Sequence, residues 1–269
     1  MTAPSPAAGR AALRAALRAE WIKIRTVRST VWTLLLTLLV SVGISLLVGF
    51  SMRNGFAAMD QERRDAFDPA LIGFYSLTLG QLSLVVFGVL LFGAEYGSGM
   101  IRASLAAVPR RHLFYGSKVL AGTLVALVSS VVIVLTTFFV AQWALGPHGT
   151  SLGADGVARA TAGACLYLTL MCAFAMGVAA MLRSTALSLG IMIPLLFLGG
   201  QGVGNLPGIR PFAQYLPDQA GFVMMQVVPV PEGSIGYRDY GPWAALAIMV
   251  TWVALALAGG YLVVRRRDA

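Results

Sequence analysis

The sequence predicts an all-α membrane protein with six transmembrane helices and with both termini in the cytoplasm. Three observations lead to this prediction: long stretches without charged residues, an apolar composition, and an uneven distribution of Lys and Arg. A helix that crosses a bilayer needs about 20 mainly apolar residues. Six stretches of the chain exceed that length without an Asp, Glu, Lys or Arg: 29–52, 69–94, 119–154, 160–182, 184–209 and 240–264.

The composition excludes a soluble globular protein. Hydrophobic residues make up 58% of the chain, charged residues 12%, and the mean hydropathy is +0.78. The spans and their connections use nearly all of the 269 residues, so a second catalytic domain of about 100–150 residues has no room. We predict one transmembrane domain over residues 30–264, with spans at about 30–50, 69–93, 118–145, 160–182, 185–204 and 242–264.

The orientation follows from the connecting segments. If the segments alternate across the membrane and the N-terminus is inside, the inside segments hold 14 Lys and Arg and the outside segments hold 6. Cytoplasmic segments carry the excess of Lys and Arg in helical membrane proteins. The net charge of +9 is therefore a topology signal, and we expect anionic lipid rather than nucleic acid to be its partner. Residues 265–269 form a basic cytoplasmic tail.

The N-terminal region, residues 1–29, is predicted to be a disordered start followed by a basic amphipathic helix over 10–28. Apolar residues recur there at spacings of three and four, and most of the basic residues fall elsewhere on the helical wheel. Such a helix is typical of a membrane interface. Either it only anchors the first span, or it also braces a cytoplasmic partner. The residues that define it are Leu13, Leu17, Trp21 and Ile24 on the apolar side, with Arg18 and Arg25 among the basic ones.

The sequence contains no pattern that indicates a catalytic centre. It has no P-loop, no H-E-x-x-H and no G-x-S-x-G. Its two histidines, His112 and His148, are predicted to lie on opposite sides of the membrane, which excludes a His-based metal site. Cys165 and Cys172 share one apolar span and are expected to be small core residues. We therefore predict no enzyme activity and no cofactor bound by this chain.

The predicted spans contain few polar side chains. Ion- and proton-coupled carriers usually place ionisable groups at mid-membrane, and apart from Cys and Tyr the spans have none there. The polar candidates are Gln81, Gln201 and Asn205. Hydrogen bonding between helices is the favoured role for each of them, and lining a hydrated substrate cavity is the alternative. The Pro-rich connection 205–241 includes an apolar piece at 220–228, which predicts a short re-entrant or interfacial helix.

The most informative segment is 94–118, on the cytoplasmic side between the second and third spans. Glu95 follows the apolar run, Gly97 and Gly99 interrupt the helix, and Met100–Val108 predicts a short amphipathic helix. A turn then follows at Pro109-Arg110-Arg111. An ordinary cytoplasmic loop with topology-setting charges is the alternative interpretation.

This segment resembles the signature of type-2 ABC transporter permeases. The family pattern has an acid, small residues, a short helix, and then proline, arginine and lysine. The N-terminal stretch from Ala19 to Arg25, with Ser29, is also similar to the family's basic opening helix, and the predicted topology agrees over essentially the whole chain. Gly99-Met100 stands where the family usually has Gly-Thr. The matching positions are Glu95, Gly97, Gly99, Leu105, Pro109, Arg111 and Lys118.

The resemblance implies a partner and an energy source. In this family the short helix between spans 2 and 3 is a coupling helix that docks on a separate ATP-binding subunit. The transporter is a dimer of six-span units, homomeric or heteromeric, with two ATPase subunits, so ATP and Mg²⁺ are expected on the partner. Arg102, Arg110 and Arg111 would contact acidic positions of the ATPase, and Glu95 would hold the geometry of the loop.

The resulting expectation is the permease subunit of an ATP-driven exporter in the bacterial inner membrane. The apolar interior of the spans suits a hydrophobic or amphipathic cargo, such as a drug, antibiotic, peptide or lipid-like molecule. The alternative is a non-transporting multi-span component, an assembly factor or a sensor partner, with the same topology and no contact to an ATPase.

Overall fold

The computed structural model describes residues 15, 17–23, 28–107, 110–200, 208–234 and 236–266, and the regular elements of this part of the chain are helices. After a helical segment at 17–23 come α1 to α11, together with two short 3₁₀ turns. The long helices are α1 (Arg28–Gly55), α4 (Leu77–Gly97), α6 (Arg111–Leu145), α7 (Val157–Leu182), α8 (Thr185–Gly200) and α11 (Pro242–Arg266). The short ones are α2 (Gln61–Asp65), α3 (Pro69–Phe74), α5 (Met100–Ala107), α9 (Arg210–Ala213) and α10 (Pro217–Met225).

Within the described ranges, five helices are long and apolar enough to cross a membrane: α1, α4, α6, α7 and α11. The predicted all-α membrane class is therefore confirmed for the part of the chain that the structure describes. The fifth predicted span, 185–204, corresponds to α8, which is described as an apolar helix of 16 residues. Residues 201–204 of that predicted span lie outside the described ranges.

The predicted helix over 69–93 is divided into α3 and α4 by a turn at Tyr75 and Ser76. The Asp68 carboxylate fixes the start of α3, because its Oδ1 accepts from the Leu71 amide at 2.9 Å while its Oδ2 accepts from the Val227 amide at 2.7 Å. The Ser76 hydroxyl donates to the Gly73 carbonyl and accepts from the Ser45 hydroxyl. Such side-chain hydrogen bonds compete with the helical ladder.

The core of the bundle is built around α7, the most buried of the five candidate spans. It packs against α4, α6 and α11. Glycines bring the helix backbones close together, as is common between membrane helices. A Cβ at Gly177 would lie 2.6 Å from the backbone carbon of Ala256, and one at Gly88 would lie 2.6 Å from the Cys172 carbonyl oxygen.

The two opposite ends of the bundle are formed by different helices and connecting segments. One end, which we call the basic end, is formed by segment 17–23, the C-terminus of α4, the whole of α5, the N-terminus of α6 and the C-terminus of α11. The Arg111 guanidinium at the start of α6 donates to the Val264 and Arg265 carbonyls of α11, at 2.9 and 3.1 Å. We call the loop end the one that carries α2, α3, α9 and α10. Segment 17–23 and the last described residues of α11 therefore share one end.

A short helix is present in the long connection at the loop end, where the sequence predicted one at 220–228. This helix, α10, begins at Pro217 and packs against α7 and α11. Its contact with α7 is close, since a Cβ at Gly163 would lie 2.3 Å from the Met224 carbonyl oxygen. Most of its residues are buried, so α10 forms part of the core.

Gly177→Ala is expected to destabilise the bundle by about 1–3 kcal/mol, because the added methyl would meet the backbone of α11 and force the two helices apart. Gly190→Ala on α8 is the control, since a Cβ there meets nothing within 4 Å. The thermal midpoint in detergent measures both. Equal midpoints for the two variants would contradict the close approach of α7 and α11.

Candidate functional site

The basic end contains a cluster of four charged side chains, of which Glu20, Glu95 and Lys118 are buried and Lys23 is partly exposed. Lys118 Nζ donates to Glu20 Oε2 and to Glu95 Oε1, each at 2.9 Å. Lys23 Nζ donates to Glu20 Oε1 and to the same Glu95 Oε1, also at 2.9 Å. The two carboxylates and two ammonium groups balance in charge. We call this set the ion cluster.

The ion cluster joins three separate parts of the chain. Glu20 belongs to segment 17–23, Glu95 to the last turn of α4, and Lys118 lies near the start of α6. The Lys118 side chain is only 2% exposed, and its ammonium also lies 5.7 Å from the Phe92 ring centroid and 5.6 Å from that of Phe114. A buried ammonium needs such partners, because an unpaired charge away from water is costly.

The carboxylates of Glu20 and Glu95 stabilise the charged form of Lys23, and Glu95 does so through only one of its oxygens. Burial by itself would lower the pKa of Lys23, but the hydrogen bonds and charges of Glu95 and Glu20 outweigh it and hold the pKa above the ordinary value of 10.5. Glu95 Oε2 is buried and has no hydrogen-bond partner within the described part of the chain. Glu95 thus commits one oxygen to both lysines.

The turn from α7 to α8 packs beside the end of α4. Arg183 closes α7 in a left-handed conformation, with a φ of 55°. Its guanidinium carbon lies 4.9 Å from the centroid of the Tyr96 ring. Glu95 and its neighbour Tyr96 thus contact segment 17–23, α6 and the end of α7.

α5 is a short helix at the surface of the basic end. Gly99 precedes it with a φ of 71°, a conformation that glycine adopts without strain. Ile101 is buried, whereas Met100, Arg102 and the following Arg110 are exposed. The helix therefore fixes one apolar side chain against the bundle and presents cations outward.

The structure brings together only some of the predicted site residues. Arg102 lies on α5, and Glu95, Gly97, Gly99, Arg110 and Arg111 lie close to it in sequence on either side. Arg111 donates to α11 rather than pointing away from the bundle. In the N-terminal helix, Leu17 packs on the core while Arg18 and Trp21 are exposed. The residues or side chains outside the described part are Leu13, Ile24, Arg25, Leu105, Pro109, Gln201 and Asn205.

The ion cluster itself was missed by sequence reasoning. Glu20 and Lys118 both lie in segments that resemble the family pattern, but the sequence gives no reason to pair them. The available signal was that Glu95 and Lys118 directly flank the apolar runs 69–94 and 119–154, where a charge needs a partner. Their separation of 98 residues leaves no local periodicity that would reveal the contact.

Gln81 lies inside the bundle, where it accepts a hydrogen bond from the Tyr167 hydroxyl. Both residues are buried, and the contact joins α4 to α7. A Cβ at Gly221 of α10 would meet the Tyr167 ring at 2.1 Å. Gln81 thus takes part in helix packing at a point where three helices meet.

A second polar group occurs at the loop end around Asp218. Gln219 Nε2 donates to Asp218 Oδ2 at 2.6 Å, and Arg238 donates to Gln219 Oε1 and, at 2.8 Å, to the Tyr237 carbonyl. Burial raises the pKa of Asp218 to about 6, against weaker opposing effects of the Gln219 hydrogen bond, the backbone and the Arg238 charge. No group of three or more possible metal ligands occurs among the described residues.

Lys118→Met is expected to destabilise the protein by about 3–5 kcal/mol, since Lys118 is only 2% exposed and water cannot replace its ammonium beside the two buried carboxylates. The same substitution at Lys23, whose side chain is 38% exposed, should cost only about 1 kcal/mol. Adding Glu20→Gln to Lys118→Met restores the charge balance and should recover part of the loss. Thermal midpoints in detergent test this order, and equal losses at the two lysines would contradict it.

Stability should also depend on Asp218 in mildly acidic solution. The folded protein retains the Asp218 proton up to about pH 6, whereas an unfolded aspartate loses it near pH 4. The stabilisation is therefore present at low pH and is lost as pH rises through about 6, by on the order of 2–3 kcal/mol. Asp218→Asn should flatten this part of the pH profile of the thermal midpoint, and Asp155→Asn at an exposed position should not.

Comparison with known proteins places these features in a family. No curated protein matches the chain. A family model described as "ABC-2 family transporter protein" matches residues 16–199. The match begins in the segment that supplies Glu20, includes the whole ion cluster and α5, and ends in α8. It covers well over half of the chain, which therefore belongs to the ABC-2 family of transporter proteins.

Proposed function

We propose that this chain is the permease subunit of an ATP-driven exporter and that a separate ATP-binding subunit docks on α5. Membership of the ABC-2 family and the apolar spans support a membrane permease of an ABC transporter. The observation that favours α5 as the docking element is its position. It is a short exposed helix whose two ends lead directly into α4 and α6, the helices that the ion cluster joins.

The geometry suits transmission of a mechanical push. α5 is anchored by Ile101, and the helix ends next to it are joined through Glu95 and Lys118. A packed element of this kind moves as a rigid body rather than deforming. A displacement of α5 would therefore reach α4 and α6 together, and segment 17–23 would move with them through Glu20.

The charge distribution supports a cytoplasmic location for α5, which is the side on which an ATP-binding subunit would dock. The basic end carries the excess of Lys and Arg, so the positive-inside rule puts it, with both termini, in the cytoplasm. The exposed cations Arg102 and Arg110 there suit an acidic groove on a partner. ATP and Mg²⁺ belong on that partner, in two copies, and a second permease subunit completes the transporter in a bacterial inner membrane.

The cargo is proposed to be hydrophobic or amphipathic. The described spans offer few polar groups between the two ends, and Gln81 is engaged by Tyr167. A strongly hydrated solute would find few partners along such a surface. The exposed apolar face of α1, which includes Leu36, Leu39 and Leu47, remains available to lipid or to the second subunit.

Charge reversal next to α5 tests the docking proposal. Arg110→Glu is expected to reduce ATP hydrolysis by the complex purified from native membranes on the order of tenfold. The introduced carboxylate would repel the acidic groove of the ATP-binding subunit that Arg110 is proposed to contact. Arg111 is unsuitable for this test, since it also binds the end of α11. Arg63→Glu is the matched control, because Arg63 is also exposed but lies at the loop end.

The outcomes separate the two function classes. If an ATP-binding subunit co-purifies with the wild type and its activity drops only with Arg110→Glu, the coupling role of α5 stands. If the subunit co-purifies and both variants retain full activity, docking occurs elsewhere. If no ATP-binding subunit co-purifies in mild detergent, the non-transporting component is the better description.

A further inference from the structure

Two adjoining cavities open at the loop end, between the start of α7, α10 and the start of α11. The first has a volume of about 400 Å³, and its polar lining includes Arg159, Gln226 and Arg238. The second, of about 440 Å³, is lined almost entirely by apolar side chains, among them Leu166, Met224 and Leu246. Arg159 and Trp243 line both cavities, so a single molecule can occupy the two.

Two residues that line the first cavity carry buried hydrogen-bond donors without a partner. Arg159 Nη2 donates to the Gln226 carbonyl at 2.5 Å, but Arg159 Nη1 is buried and has no partner among the described residues. The side-chain amide Nε2 of Gln226, a residue only 9% exposed, is likewise buried without a partner. Buried polar groups of native proteins are seldom left unsatisfied, so each unsatisfied one calls for an explanation.

The charge at the first cavity has one sign. Arg238 is 8% exposed and brings a second guanidinium to the lining, and none of the described residues that line either cavity is acidic. Guanidinium groups match the planar oxygens of carboxylates and phosphates and bind them through charge-assisted hydrogen bonds. The unused donors and the two cations together select an anion.

The second cavity selects a hydrocarbon chain. It is lined by Ala162, Gly163 and Leu166 of α7 and by Trp243, a residue that is 75% exposed. Tryptophan commonly lies at the boundary between hydrocarbon and head groups. Both volumes fall within the range of about 300–1,000 Å³ that is typical of ligand pockets.

We infer that the two cavities form one binding site for an anionic lipid-like amphiphile, with its acidic head group between Arg159, Gln226 and Arg238 and its acyl chain along α7. The site lies at the opposite end of the bundle from the ion cluster and α5. The inference is therefore independent of ATPase docking, and it concerns the leaflet that the proposed topology puts outside.

Fluorescence quenching of Trp243 tests the site in the full chain, reconstituted in nanodiscs. The probe is phosphatidylglycerol with brominated acyl chains, compared with phosphatidylcholine that carries the same chains. The difference between the wild type and Trp243→Phe isolates the signal of Trp243 from the other tryptophans. We expect half-maximal quenching of Trp243 at on the order of tenfold less phosphatidylglycerol than phosphatidylcholine.

Two variants and two controls make the result specific. Arg159→Gln should abolish the preference for the anionic lipid, whereas Arg63→Gln, which removes a cation elsewhere at the loop end, should preserve it. Ala162→Trp fills the apolar cavity at an exposed position and should weaken quenching by both lipids, whereas Ala247→Trp on an exposed face of α11 should not. A monodisperse elution profile verifies that each variant is folded.

Three results would overturn the inference. Equal quenching by both lipids in the wild type would show that the head group is not recognised. Release of quenching by free glycerol phosphate at a concentration comparable to that of the lipid would show a site for a soluble anion, with no use of the acyl chain. Absence of quenching by either lipid would show that Trp243 is covered by protein, such as a second copy of this chain.

Discussion

A lysine with almost no access to water, Lys118, sets the arrangement of one whole end of this molecule. Its ammonium requires anionic partners, and it finds them in Glu20 and Glu95, which come from two other parts of the chain. The pairing holds segment 17–23, α4 and α6 in a single arrangement. The position of α5 follows from it, because α5 is the short link between the two helices that Lys118 and Glu95 join.

Close backbone contact carries that arrangement through the rest of the bundle. Gly88 and Gly177 allow α7 to lie directly against α4 and α11, and Gly163 allows α10 to do the same at the loop end. Helices whose backbones are in direct contact, without large side chains between them, cannot easily move independently of one another. A movement imposed at α5 is therefore expected to involve α4, α6 and α7 together rather than one helix.

The two ends of the bundle solve the problem of buried polar groups differently. At the basic end, four charged groups balance one another and the lysine donors are matched by carboxylates, with Glu95 Oε2 as a buried acceptor that has no partner in the described part of the chain. At the loop end, cationic and amide donors of Arg159 and Gln226 remain unused beside an apolar cavity. The first arrangement stabilises a junction between helices, and the second leaves room for a molecule that is both anionic and apolar.

The sequence by itself determined the all-α membrane class and apolar segments that correspond to five candidate spans, because hydropathy and length are local properties of a chain. Only the tertiary structure decided that the 69–93 helix breaks at Tyr75, that Arg111 binds the end of α11, and that Glu20 meets Lys118. The last two contacts join residues 153 and 98 positions apart. Hydropathy and helical periodicity carry no information about such pairings, since these depend on which ends of packed helices coincide and on the need to neutralise charge away from water.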